Sequence, residues 1–91
     1  MALTDLPNIG PVLAAHLRAA GIHTPEQLRE IGAAEAFLRI RTAADPTICL
    51  HALEALAGAV EGVRKSALPA DRKAELKRWF NDVTRGIKTG V

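Results

Sequence analysis

The 91-residue chain has one cysteine, Cys49, no tyrosine, and only three aromatic side chains, Phe37, Trp79 and Phe80. A single cysteine excludes an internal disulfide, so a reduced, cytoplasmic setting is the expectation. So few aromatics exclude the stacking platform that single-stranded nucleic acid uses. No apolar run approaches the roughly 18 residues of a membrane span. The start, Met-Ala-Leu-Thr-Asp, lacks the basic flank and apolar stretch of a secretory signal. The β-branched residues are scattered, with no alternating run that reads as a strand.

What remains is small and aliphatic, rich in alanine and leucine, and suited to closely packed helices. The length fits one domain, residues 1–91, with a single modest core. Apolar spacing and breakers divide it into about five helices, a compact all-α bundle. Pro11 to Ala20 is the first substantial helix, with Ile9, Leu13 and Leu17 at fourfold spacing. Gly21 closes it. Thr24-Pro25-Glu26-Gln27 opens the second, with Thr24 as N-cap and Gln27 completing a capping box. Leu28 and Ile31 face inward before Gly32. A third helix covers Ala33 to Thr42, with Phe37 and Ile40 at i, i+3 and Leu38 nearby.

Asp45-Pro46 reads as the start of a fourth helix that runs to about Glu61. Ile48, Leu50, Leu53, Leu56 and Val60 surround most of its circumference, which marks it as the central helix. Cys49 then falls mid-helix among apolar neighbours and is expected to be buried and slow to react. Residues 63–68 turn the chain, and Pro69 opens a fifth helix to about Thr84, with Leu76, Phe80 and Val83 inward. Residues 85–91 are expected to fray.

No arrangement of side chains suggests catalysis. His16, His23 and His51 are dispersed, no Cys/His spacing resembles a zinc site, and no paired carboxylates fit acid–base work. Asp5, Asp45 and Asp71 read as cap or first-turn acids. No cofactor, no metal and no enzymatic activity is expected. The net charge is only +2, but it is unevenly placed. Residues 1–62 carry four basic and seven acidic side chains, and residues 63–91 carry eight and three. The C-terminal part is the basic end.

Pro7-Asn8-Ile9-Gly10-Pro11 is a tight hairpin. Asn8 and Gly10 tolerate positive φ, and Ile9 between them can plug the core. Gly10 is expected to be essential to this shape. Pro11 suits a first helical turn, so the hairpin would aim free backbone N–H groups outward, a geometry that can hold phosphate. The stretch 3–34 resembles a helix-hairpin-helix motif, matched at Leu6, Pro7, Ile9, Gly10, Pro11, Ala14 and Leu17. Asn8 replaces the motif's first glycine. Val12 and Leu13 replace its basic and polar residues, so the phosphate contact lacks its supporting charge. Asn8, Ile9, Gly10, Val12 and Arg18 are therefore candidate contacts for either of two partners. One is double-stranded DNA, held weakly through its backbone. The other is a protein partner or a second copy of the chain.

The resemblance extends along LPNIGPVLAAHLRAAGIHTPEQLREIGAAEAFLRIR, PTICLHALEALAGAVEGVR and LPADRKAELK. These segments resemble the C-terminal domain of the TfoX (Sxy) family of bacterial regulators of DNA-uptake competence. The resemblance implies an all-helical, non-enzymatic domain acting in transcription of competence genes. The full-length regulators carry an additional N-terminal domain, and Met1 stands almost at the start of the matching region. A free-standing copy of the C-terminal half is the expectation.

Overall fold

The computed structural model describes residues 1–85. Within it five α-helices follow a short 3₁₀ turn at Leu3–Asp5: α1 (Pro11–Ala19), α2 (Pro25–Ile31), α3 (Ala33–Ala43), α4 (Leu50–Glu61) and α5 (Ala70–Thr84). No strand occurs among the described residues. The all-α expectation is met. The expected C-terminal fraying concerns residues that, from 86 onward, lie outside the described range.

Local chemistry sets most of the helix ends. Pro11 occupies the first turn of α1 and Pro25 that of α2. The Thr24 hydroxyl accepts the Gln27 N–H at 3.1 Å. The Gln27 side chain accepts from the His23 N–H at 2.7 Å, so the capping box closes one residue earlier than its usual form. Gly32 alone joins α2 to α3, at φ 87°, and Gly62 ends α4 in the left-handed region at φ 78°. Both conformations favour glycine over residues with a Cβ.

The start of α4 departs from the sequence reading. The helix begins at Leu50, with Cys49 as N-cap, and not at Asp45-Pro46. Asp45 instead caps a turn: its Oδ1 accepts the Thr47 N–H at 3.0 Å and the Thr47 hydroxyl at 2.6 Å. The side chain competes with the helix for the backbone donor, and the turn wins. Cys49 is consequently exposed. The expectation of a buried thiol is overturned.

α4 is the central helix, as its apolar sequence predicts. Leu53 and an unbroken run from Ala55 to Ala59 are buried. α2, α3, α5 and the 3₁₀ turn Lys65–Ala67 all pack on it, α3 most extensively. The alanines let these neighbours approach closely, and the larger side chains fill the space beyond them. Phe37 of α3 is fully buried and meets Trp79 and Phe80 of α5 edge-on, with ring centroids 5.7 and 5.8 Å apart. Leu17, Ile22, Leu28, Ile40 and Leu56 complete the interior. Leu13 and Ile31, expected inward, are only half-buried. Ala14, one residue along from Leu13, takes the core-facing position on α1.

Candidate contact surface at the hairpin

Asn8 adopts φ 71° and is the only non-glycine residue at positive φ among the described residues. Its side chain does not face solvent. Nδ2 donates to the Val63 carbonyl at 2.9 Å and to the Ala55 carbonyl at 3.3 Å. Oδ1 accepts the Lys65 N–H at 2.9 Å. One amide thus ties the N-terminal hairpin to the C-terminal end of α4 and the turn beyond it. A glycine could adopt the backbone angle but could not make these three bonds. That explains asparagine at this position and commits its half-buried side-chain amide to internal bonds.

Ile9 is 5% exposed and acts as the expected plug. It is unavailable to a partner. Gly10 is exposed, with φ −91° and ψ −178°, ordinary extended backbone. A Cβ built there meets nothing within 4 Å. The expected requirement for glycine at this position is therefore overturned: the turn is made by Asn8, and Gly10 serves as the α1 N-cap.

Val12 is 70% exposed, one of three exposed large apolar side chains among the described residues, with Met1 and Val63. The helical ladder of α1 begins with Ala14 N–H to the Gly10 carbonyl at 2.9 Å. The Val12 and Leu13 N–H groups precede it and have no intrahelical acceptor. Neither residue brings a charge. Arg18 is exposed in the last turn of α1. Helix geometry puts it about 9 Å along the axis from Val12 and about 120° around it, so the two do not share a surface. The structure therefore separates the five candidates: Gly10 and Val12 remain on one exposed face, while Asn8 and Ile9 turn inward.

Beside Val12 lies a groove of about 430 Å³ that sequence reasoning missed. Pro11, Val12, Leu13 and His16 of α1 form one wall. Ile48, Cys49 and Ala52, at the entrance to α4, form the other, with Asp45 and Thr47 at the rim. The bonds from Thr47 hold the Asp45 carboxyl below its ordinary range, aided by the charge of nearby His16. The Asp-x-Thr spacing was the available signal for this turn. Its proximity to α1 was not encoded locally.

A helix-hairpin-helix is not established by this geometry. The segment before the hairpin is a single 3₁₀ turn, Leu3–Asp5, and the turn's one left-handed residue uses its side chain for internal anchoring. Among the described residues there is no cluster of three or more His, Cys, Asp or Glu side chains placed to hold a metal ion. No helix there is long and apolar enough to cross a membrane.

The fold is that of a small all-helical domain. The family model of the TfoX C-terminal domain matches residues 1–80, and the chain belongs to that family. It is 37% identical over 82 residues to Protein Sxy of Escherichia coli (strain K12). That alignment covers 90% of this chain and 39% of Sxy, so the chain spans well under half of that relative's length. Two crystal forms of an uncharacterized protein from Listeria monocytogenes have the same architecture. The triclinic form gives a TM-score of 0.88 at 44% identity, covering 94% of this chain and 96% of that one. The tetragonal form gives 0.86 at 46% identity, covering 89% and 98%. The TfoX/Sxy family is not known as an enzyme family.

Proposed function

We propose that this domain is an accessory factor in competence-related transcription regulation, acting through contact and not catalysis. Membership of the TfoX C-terminal domain family supports the regulatory part of this reading. The contact is with a protein, made at the groove between α1 and the entrance to α4. The observation that carries it is Val12, 70% exposed at the edge of an apolar groove of about 430 Å³. Exposed apolar surface next to a concavity favours a protein partner over phosphate, which would call for a cation at position 12 or 13.

The test is capture of partners from native cytoplasm, with and without nuclease, on the wild-type chain and on Val12→Lys. The expected result is a nuclease-resistant protein partner that Val12→Lys loses, because the substitution puts an unpaired ammonium into the contact. Retention of that partner by Val12→Lys, or its loss on nuclease treatment, would move the contact elsewhere. A second reading has one observation in its favour: the Val12 and Leu13 N–H groups are free of intrahelical acceptors. Under it the hairpin meets DNA phosphate, and Val12→Lys would tighten duplex binding at low salt.

A further inference from the structure

We propose that the flank of α5 carrying half-buried Lys73 and exposed Lys77, continued by exposed Arg85 at its C-cap, is a docking surface for the phosphate backbone of double-stranded DNA. This surface is separate from the groove beside Val12, and the two stand or fall independently.

The starting observation is charge segregation. Residues 63–85 hold seven basic and three acidic side chains, a local net charge of +4. On α5 and its C-cap, Lys73, Lys77 and Arg85 stand apart from the acids. At about 100° per residue, Thr84, Lys77, Asn81 and Arg85 fall at about 20°, 40°, 80° and 120° from Lys73. The acids Asp71, Asp82 and Glu75 fall together at about 160–200°. Core-facing Leu76 and Phe80 lie at about 300–340°. The arc from Lys73 to Arg85 is thus free of acid and of large apolar groups. It runs about 18 Å along the axis.

Of the two arginines of α5, Arg72 is paired and Arg78, at about 140° from Lys73, lies beside the acids. Arg72 pairs with Glu61 at 3.0 Å and with Glu75 at 2.7 Å. Arg78 lines a surface depression with Glu61, Asp71 and Glu75. Among the described residues, Lys73, Lys77 and Arg85 enter no ion pair. A polyanion is the partner that such an arc complements.

Which polyanion is decided by what the flank lacks. It has no aromatic platform for a single strand, because Trp79 and Phe80 are committed to Phe37. None of the large exposed apolar residues, Met1, Val12 and Val63, belongs to α5, so nothing there would enter a lipid surface. A-form RNA has a major groove too deep and narrow for side chains, whereas the wide groove of B-DNA admits a helix between phosphate walls.

The experiment is fluorescence anisotropy of the full chain with a 20-base-pair mixed-sequence DNA duplex across a salt series. Three phosphate contacts predict a log–log salt slope of about −2.7, roughly a 40-fold weakening from 50 to 200 mM salt. The double variant K73Q/K77Q should flatten the slope to about −0.9. A control with equal net charge, R29Q/R39Q on α2 and α3, should leave it unchanged. If the double variant fails to fold, Lys77→Gln alone, at an exposed site, should flatten the slope by about 0.9. Equal losses in K73Q/K77Q and in the control would reduce the effect to net charge and overturn the proposal. So would an unchanged slope in the α5 variants, or equal affinity for a single strand, an RNA duplex or anionic vesicles.

Discussion

Replacing a glycine by alanine inside a helix usually stabilises it by about 1 kcal/mol. At Gly58 of α4 the opposite is expected, a loss of about 2 kcal/mol. A Cβ built on Gly58 lies 2.5 Å from Asn8 Nδ2, 2.7 Å from the Val63 carbonyl oxygen and 3.3 Å from the Lys65 nitrogen. Real Cβ contacts do not reach the first two distances, and the Val63 oxygen is backbone. The Asn8 side chain must leave, and its three hydrogen bonds with Ala55, Val63 and Lys65 go with it. At about 1 kcal/mol net per bond the loss is about 3 kcal/mol. The gain in helix propensity offsets about one of these. Urea unfolding followed by circular dichroism should show a lower midpoint at unchanged slope. A thermal midpoint should fall by roughly 8–16 °C. Asn8→Gly keeps the left-handed backbone without the side chain. In that background Gly58→Ala should be less harmful by about 3 kcal/mol, since the three Asn8 bonds are already absent and the crowding of the Val63 carbonyl is common to both backgrounds. A gain in stability of about 1 kcal/mol from Gly58→Ala alone, or no coupling to Asn8, would refute the clamp.

Four further outcomes test the architecture. Gly10→Ala should cost no more than about 1 kcal/mol, the disadvantage of alanine at a helix N-cap, because its φ is ordinary and its Cβ direction is open; a loss of several kcal/mol in chemical denaturation would contradict that geometry. Cys49 should be labelled by a thiol reagent in native buffer without prior unfolding, since it is exposed at the entrance to α4; labelling that tracks global unfolding would return it to the interior. Leu53→Ala should cost about 2–5 kcal/mol, the range for a buried leucine that leaves a cavity, because Leu53 is 0% exposed on the central helix. Asp45 titrates below its ordinary value in the folded protein, so its contribution is present above about pH 3.9, the unfolded value, and is lost as pH falls through the lower folded value. Asp45→Asn should therefore reduce the acid sensitivity of stability in that window, and identical pH profiles for the two proteins would count against the Thr47 turn.

Much of the bundle was legible in the chain because it rests on short-range chemistry. Apolar spacing, cap residues and breakers act within about four residues, and they located α1, α2, α3 and α5 to within a residue or two. Ile48, Leu50, Leu53, Leu56 and Val60 marked the central helix by surrounding most of its circumference. The plug at Ile9 was equally local. Where two local signals competed, at Asp45-Pro46-Thr47, the helix-start reading lost to a side-chain-capped turn. That single displacement moved Cys49 from the core to the surface.

The candidate site was legible only in part, for a different reason. Val12 stood out in the chain as an apolar residue where a cation was expected. The groove beside it needs Ile48 and Ala52, more than 30 residues away, and their approach depends on how α1 and α4 pack. Asn8 read as a residue suited to positive φ, which it is. Its partners are 47, 55 and 57 residues distant, so its anchoring role exists only once the chain has folded. The need for glycine at position 58 has the same origin. By itself the sequence determined five helices in their order, the apolar character of α4 and the basic C-terminal end, because periodicity, capping and composition are properties of neighbours along the chain. The tertiary structure alone decided which hairpin residues face a partner, since that depends on contacts between segments far apart in sequence.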